Sequence, residues 1–315
     1  MNWKTKARIQ NIVSLLPSDF SYEMYYQLQR RFGGYRKVDP FNKISRLIAG
    51  AEYSKNLQQF GVDFKGKTIF EVGTGRNILM PISFWLMGAE KIYTIDLNPY
   101  LKWELVKEGI IAIANNQDKL KSVLGDMAIT DRVEALIKFA KRQDSTMKEF
   151  LELCRVEYLA PGDASDSKLP DNSIDYHISY TVYEHIPEEV LVAIVKEGNR
   201  IIKPCGYFLN TIDFSDHFEQ MDKNISRINF LQYTNEEWDK YADNRYMYMN
   251  RLRFDDYERI FLQAGHEILS VEKFYNDRST ALLESGTFHL DSRFKNRPME
   301  VLKVIEATFI SKIQK

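Results

Sequence analysis

One segment limits what this chain can fold into more than any other. It is Thr68-Ile69-Phe70-Glu71-Val72-Gly73-Thr74-Gly75-Arg76-Asn77, followed by Tyr93-Thr94-Ile95-Asp96-Leu97-Asn98-Pro99. It reads as strand, tight glycine turn, helix, strand, and then a carboxylate. The apolar run from Thr68 to Val72 is short and bounded by glycines, which fits a buried strand. Gly73 and Gly75 let the backbone turn tightly and approach a ligand with no Cβ in the way. Asp96 ends the next apolar run, about 20 residues on, where an acidic side chain can bind ribose hydroxyls. The segment therefore suits an adenosine-bearing cofactor.

A nicotinamide fingerprint wants G-x-G-x-x-G. Here Ile78 holds the third position, and Glu71 places a carboxylate beside the turn, which argues against a diphosphate. A carboxylate there suits a cationic ligand, and S-adenosylmethionine carries an ammonium and a sulfonium. Glu71, Gly73 and Gly75 match the first motif, (Asp/Glu)-x-Gly-x-Gly-x-Gly, of the class I S-adenosylmethionine-dependent methyltransferases, which this chain resembles. The last glycine is Asn77, a residue that tolerates positive φ better than most.

Further segments resemble that family in its order. Gly162-Asp163-Ala164-Ser165-Asp166 looks like the end of the third strand, whose acidic residue meets the adenine amino group. Leu169 to Asp175 resembles the entry to the fourth strand. Tyr183-Glu184-His185-Ile186-Pro187 resembles the segment that follows it. Ile201 to Phe208 resembles the turn into strand five. The resemblance spans residues 65–215. It implies an α/β, doubly wound, Rossmann-like sheet of seven strands in the order 3-2-1-4-5-7-6. It implies cofactor contacts from Glu71, Gly73, Thr74, Gly75, Asn77, Asp96, Leu97, Asp163, Ala164 and Tyr180. It also suggests a small-molecule branch, of the bacterial sugar- or glycan-modifying kind.

Of the 315 residues, 44% are apolar, enough for a sizeable core. The formal charge of −1 supplies no field for nucleic acid. Cys154 and Cys205 make no disulfide framework and fit a reducing cytoplasm. The N-terminus lacks an apolar signal core, and no stretch approaches the ~20 residues that span a bilayer. A cytoplasmic protein without membrane insertion is expected.

Residues 1–66 read as a helical extension or cap, densest in charge at Arg30, Arg31, Arg36 and Lys37, and residues 67–315 as the methyltransferase domain. Two insertions are expected within it. Residues 100–153 carry apolar residues at helical spacing, with a break at Gly125-Asp126. Residues 215–250 are rich in Tyr and Phe and read as a substrate lid, the aromatics being either ordinary packing or a wall for a ring-shaped acceptor. A helix from Phe254 to Ala264, a strand from Glu267 to Tyr275 and an antiparallel edge strand from Val301 to Ile313 complete the reading, with a polar connection at 276–298.

Methyl transfer from a sulfonium is an in-line displacement, and a hydroxyl or amine acceptor often needs a proton acceptor within hydrogen-bond reach. His217 is the first choice for general base, with Asp213 or Asp216 orienting its imidazole. Loop capping is the plainer role for all three. A metal site built on them would need more ligands than one loop offers, so no metal is expected. His185 either faces the active-site mouth or caps the next helix. Asn250, Arg251 and Arg253 could bind an acidic group on the acceptor, or the arginines could pair with Asp255 and Asp256. Cys205 lies at the entry to strand five, so it is not read as a cytosine-modifying nucleophile.

The preferred reading is methyl transfer to a hydroxyl of a sugar or glycan precursor. Alternatives are N-methylation of another metabolite, a protein or RNA methyltransferase docking through the basic N-terminal segment, and a non-catalytic cofactor-binding module.

Overall fold

In the computed structural model, residues 1–36 and 44–314 are described. Lys37, one of the four basic residues of the expected docking segment, lies outside them. The elements run α1 (Trp3–Ser14), α2 (Ser18–Phe32), α3 (Ser45–Gln58), β1 (Thr68–Val72), α4 (Leu79–Leu86), β2 (Lys91–Ile95), α5 (Trp103–Asn115), α6 (Gln117–Leu124), α7 (Thr130–Ala140), α8 (Met147–Leu153) and β3 (Val156–Leu159). Then come β4 (Ile174–Tyr180), α9 (Glu188–Ile201), β5 (Ile202–Asp213), α10 (Asn235–Ala242), α11 (Phe254–Gln263), β6 (His266–Tyr275), α12 (Asp277–Glu284), α13 (Ser292–Lys295), α14 (Met299–Leu302) and β7 (Val304–Ile313).

The sheet has seven strands in the order β3-β2-β1-β4-β5-β7-β6, the order expected. β1 pairs in parallel with β2 and β4, and β2 with β3, while β6 and β7 are antiparallel. β6 is the edge strand and β7 lies inside it, so the edge position expected for the last strand belongs to its partner. Parallel strands covered on both faces are buried along their length, and β1 is buried from Ile69 to Val72, with Glu71 the one polar residue among its apolar neighbours.

The chain divides into two compact units. One comprises Tyr35–Ser179 and Lys196–Leu209; the other comprises Met1–Gly34, Tyr180–Val195 and Asn210–Lys315. Residues 1–34 thus group with the C-terminal half. In the first unit α4 is buried at all eight positions, a helix hydrophobic all round. α3 lies close against it at Gly50, where a Cβ would meet the Ser83 hydroxyl. The Arg132 guanidinium donates to the carbonyls of Trp85 and Ala89 at 2.6 and 2.8 Å, satisfying orphan groups at the end of α4. The 100–153 connection forms four α-helices, α5 to α8, as its periodicity predicts.

In the second unit the aromatics of the 215–250 segment face inward. Phe218, Phe230, Leu231, Trp238 and Met247 form one core with Trp3 and Ala7 of α1. They are ordinary packing, not an open wall. α10 is set by a capping box, Thr234 with Glu237. The polar connection at 276–298 holds two unforeseen helices, α12 and α13, which bury Leu283 and Phe294. Single buried residues spaced among polar ones gave little periodic signal there.

Candidate functional site

The first unit builds the glycine turn. Gly73 and Gly75 take φ of +91° and +65°, conformations that side chains with a Cβ rarely adopt. Nothing lies within 4 Å of where a Cβ on Gly75 would stand. Asn77 does not use the left-handed conformation expected of it. Its Oδ1 accepts from the Leu79 amide at 3.2 Å instead, helping to start α4.

The carboxyl ends of the first three strands are tied together. The Gly73 amide donates to the Ile95 carbonyl at 2.8 Å, the Asp96 amide to the Leu159 carbonyl at 3.1 Å, and the Gly162 amide to the Asp96 carbonyl at 2.9 Å. Asp96 Oδ2 accepts from the Gly75 amide at 2.8 Å, and Oδ1 from the Asn98 amide at 3.2 Å. Each oxygen keeps lone-pair capacity for a ribose hydroxyl. Leu97 is 70% exposed, an apolar face beside that carboxylate on which an adenine ring can lie. Asp163 Oδ1 accepts from the amide and hydroxyl of Ser165 at 2.8 and 2.7 Å, which shapes the loop carrying Ala164 and leaves Oδ2 for a ligand. Thr74 shares a 2.7 Å hydroxyl contact with Thr94.

Glu71 is 5% exposed and accepts from the Thr94 hydroxyl. Burial pushes its carboxyl up to about 7, while the Thr94 bond and the Arg46 charge pull the other way. Burial likewise raises Asp96, against the Gly75 and Asn98 bonds. A cation beside Glu71 would hold it ionised. These residues fit an adenosyl cofactor with a positively charged tail. Arg76 went unread in the sequence; its guanidinium lies 5.2 Å from the Tyr100 ring centre and 6.0 Å from that of Tyr35.

The second unit builds a separate polar cluster. Tyr180 ends β4, and Thr181 follows with φ +51°, a strained conformation for a β-branched residue. Its amide donates to the Thr211 carbonyl at 2.8 Å. Glu184 and His185 then lie in a short 3-10 turn. Asn250 locks that turn: its side-chain amide donates to the carbonyls of Tyr183 and Ile186 at 2.9 and 2.8 Å, and its backbone amide to the Glu184 carbonyl at 2.9 Å. His185 Nδ1 donates to the Tyr248 carbonyl at 2.7 Å.

After β5, His217 Nε2 donates to Asp213 Oδ2 at 3.1 Å, so Asp213 is the residue that orients the imidazole. Asp216, offered as the alternative orienter, accepts from the Phe218 amide and from the Asn229 side chain at 2.9 and 2.8 Å. It caps a turn. The His185 and His217 rings meet edge to face, 5.0 Å between centres. Burial pulls His185 down to about 4, with the neighbouring His217 adding to the fall. Burial would lower His217 too, but the Asp213 bond and charge outweigh it and the net shift is upward. Burial raises Asp216 to about 6.

Arg251 and Arg253 do not form an open anion clamp. Arg253 is fully buried and donates to the carbonyls of Phe214, Leu302 and Val304. Arg251 donates to the carbonyls of Phe230 and Tyr233 and to Asn235. Both guanidiniums satisfy loop backbone. The alternative pairing with Asp255 and Asp256 is taken by Arg297. Glu184, which the sequence did not single out as a site residue, joins the histidines; one of its carboxyl oxygens and a ring nitrogen of each histidine all lie within 4.8 Å of one another. Their separation in sequence hid this.

Residues 111–210 match the family model described as a methyltransferase domain. No curated protein sequence matches the chain. Among solved structures it is similar to magnesium protoporphyrin IX methyltransferase of Synechocystis PCC 6803, with 14% identity over 99% of this chain and 100% of that one, TM-score 0.47. It is similar to phosphoethanolamine N-methyltransferase 2 of Haemonchus contortus, with 16% identity over 92% of this chain and 60% of that one, TM-score 0.46. A third is an S-adenosylmethionine-dependent methyltransferase of Mesorhizobium loti, with 14% identity over 84% and 99%, TM-score 0.44.

Proposed function

We propose that the chain, whose residues 111–210 match a methyltransferase-domain model, is a class I S-adenosylmethionine-dependent methyltransferase that methylates a hydroxyl of a small-molecule acceptor, a sugar or glycan precursor. One observation carries this reading: the Asp213–His217 pair, directly after β5. In doubly wound sheets ligands gather outside the carboxyl ends of the strands. The His217 loop follows the carboxyl end of β5.

S-adenosylmethionine supplies a methyl on a sulfonium, open to in-line displacement. Glu71 would hold its cationic tail, Asp96 the ribose hydroxyls, and Leu97 and Asp163 the adenine. An alcohol gives up its proton reluctantly, so its transfer benefits from a proton acceptor far more than that of a neutral amine. With the methyl taken by the acceptor oxygen and the sulfur leaving with the bonding pair, the hydroxyl proton would pass to Nδ1 of His217, the ring nitrogen not bonded to Asp213. Asp213 positions that ring and stabilises the imidazolium. The net charge of −1 offers nothing to hold a polyanion, which favours a small neutral acceptor. With Arg251 and Arg253 spent on backbone carbonyls, no acidic group on the acceptor is required.

The test is transfer of labelled methyl from S-adenosylmethionine to saccharides, nucleotide sugars and amines. Methylation of a saccharide hydroxyl is expected. Methylation of amines alone would sink the reading. His217→Asn should lower kcat by about 10²- to 10⁴-fold and leave S-adenosylhomocysteine binding unchanged.

A further inference from the structure

His185 and His217 share a feature that a pair of packed histidines does not need. Each has one ring nitrogen tied to a fixed acceptor, His185 Nδ1 to the Tyr248 carbonyl at 2.7 Å and His217 Nε2 to the Asp213 carboxylate at 3.1 Å. Those acceptors set the tautomers, and so put the lone pairs on His185 Nε2 and His217 Nδ1. Histidines that ligate metals are held in this way, the far nitrogen donating to a carbonyl or carboxylate. Beside them stands Glu184, 2% exposed, a carboxyl oxygen donor kept out of bulk water.

We infer that Glu184, His185 and His217 form a binding site for one divalent transition-metal cation, with Asp213 as its positioning residue. The three ligand atoms lie within 4.8 Å of one another, so each must move inward by less than about 1 Å to reach a cation at roughly 2.0–2.2 Å. Two nitrogens and one carboxylate oxygen suit zinc, cobalt, iron or manganese rather than magnesium or calcium, which prefer oxygen. The ligands come from two rigid turns. Asn250 clamps the turn that carries Glu184 and His185, and Asp216 caps the turn that His217 opens. Three protein ligands leave further positions open, the pattern of a catalytic rather than a structural centre.

The site stands on its own geometry, but its role rests on the methyltransferase reading above. With a cation bound, His217 serves as a ligand. An acceptor hydroxyl would then take an open position, be acidified by coordination and lose its proton to water.

Metal-stripped full-length protein is titrated with Co²⁺, read by the visible absorption of the bound ion and by calorimetry. One Co²⁺ per chain is expected, with affinity reduced at least tenfold in His185→Ala and in Glu184→Gln. Asp213→Asn should weaken binding roughly 10- to 100-fold. S-adenosylhomocysteine binding by each variant shows that it is folded. Failure to take up stoichiometric Co²⁺, or equal uptake by wild type and the folded variants, overturns the site. Saccharide methylation that is unchanged by chelator and by added Zn²⁺ or Mn²⁺ overturns the cation's role in transfer rather than the site, and leaves the hydroxyl acceptor standing with His217 as base. Co²⁺ bound as described, by an enzyme that methylates only amines, would uphold the site and remove the acceptor reading.

Discussion

Glu71 shows at the scale of one residue how burial prepares a site for a cation. Its carboxyl is raised to about 7 by burial, against the Thr94 bond and the Arg46 charge, with Asp96 adding to the rise. Below pH 7 the group is neutral, and above it the group is a carboxylate that can pair with an ammonium. S-adenosylhomocysteine should therefore bind more tightly as pH climbs through about 7. Calorimetry at pH 6 and pH 8 checks this, and Glu71→Gln should flatten the difference. The ligand-free protein should show the opposite trend. A folded-state pKa raised above 4.5 contributes stability that is fully present below pH 4.5 and is lost as pH rises through about 7. Asp96→Ala removes the acceptor for the Gly75 amide. Losing one bond to a charged group costs about 1.5–3 kcal/mol. Cofactor affinity should fall at least tenfold, while thermal unfolding shows the fold intact.

Among the elements, Arg253 illustrates how a sequence cluster can mislead. A guanidinium next to another arginine and an asparagine reads as an anion site. Its five donors in a planar fork also suit backbone carbonyls. Here they join the Phe214 carbonyl after β5 to those of Leu302 at the end of α14 and Val304 at the start of β7. Arg253→Ala strands three buried acceptors, each worth about 1–3 kcal/mol. Denaturant unfolding should show a loss of several kcal/mol, and Arg253→Lys should recover only part of it. Neither change should alter the acceptor preference of whatever enzyme remains folded, an outcome that steady-state competition between acceptors would reveal.

At the level of the whole molecule, the first helix belongs to the core of its own unit. Trp3 packs against Phe218 and Trp238, and its amide donates to Asp222 at 2.9 Å. Trp3→Ala should cost roughly 3–5 kcal/mol and lower the midpoint of thermal unfolding, followed by near-ultraviolet circular dichroism. A change that leaves the midpoint untouched would mean that α1 is dispensable to that core. Among the described residues no helix is long and apolar enough to cross a membrane.

The strand order, the glycine turn and the carboxylates around it could be read from the chain because the signals are local. A short apolar run, a glycine that must take positive φ and an acid ending the next strand each act within a few residues of one another. Asp213 and His217 were legible for the same reason, four residues apart. What tertiary structure decided depends on contacts far apart in sequence. Arg253 turned inward to carbonyls 39 and 51 residues away. The aromatics Phe218, Phe230 and Trp238 became core because α1 supplies their partners. Glu184 and His185 came to His217 because Asn250, some sixty residues on, holds their turn in place. Local chemistry marked the glycine turn and the carboxylates beside it, and only long-range packing could say which polar groups would be left together around His217.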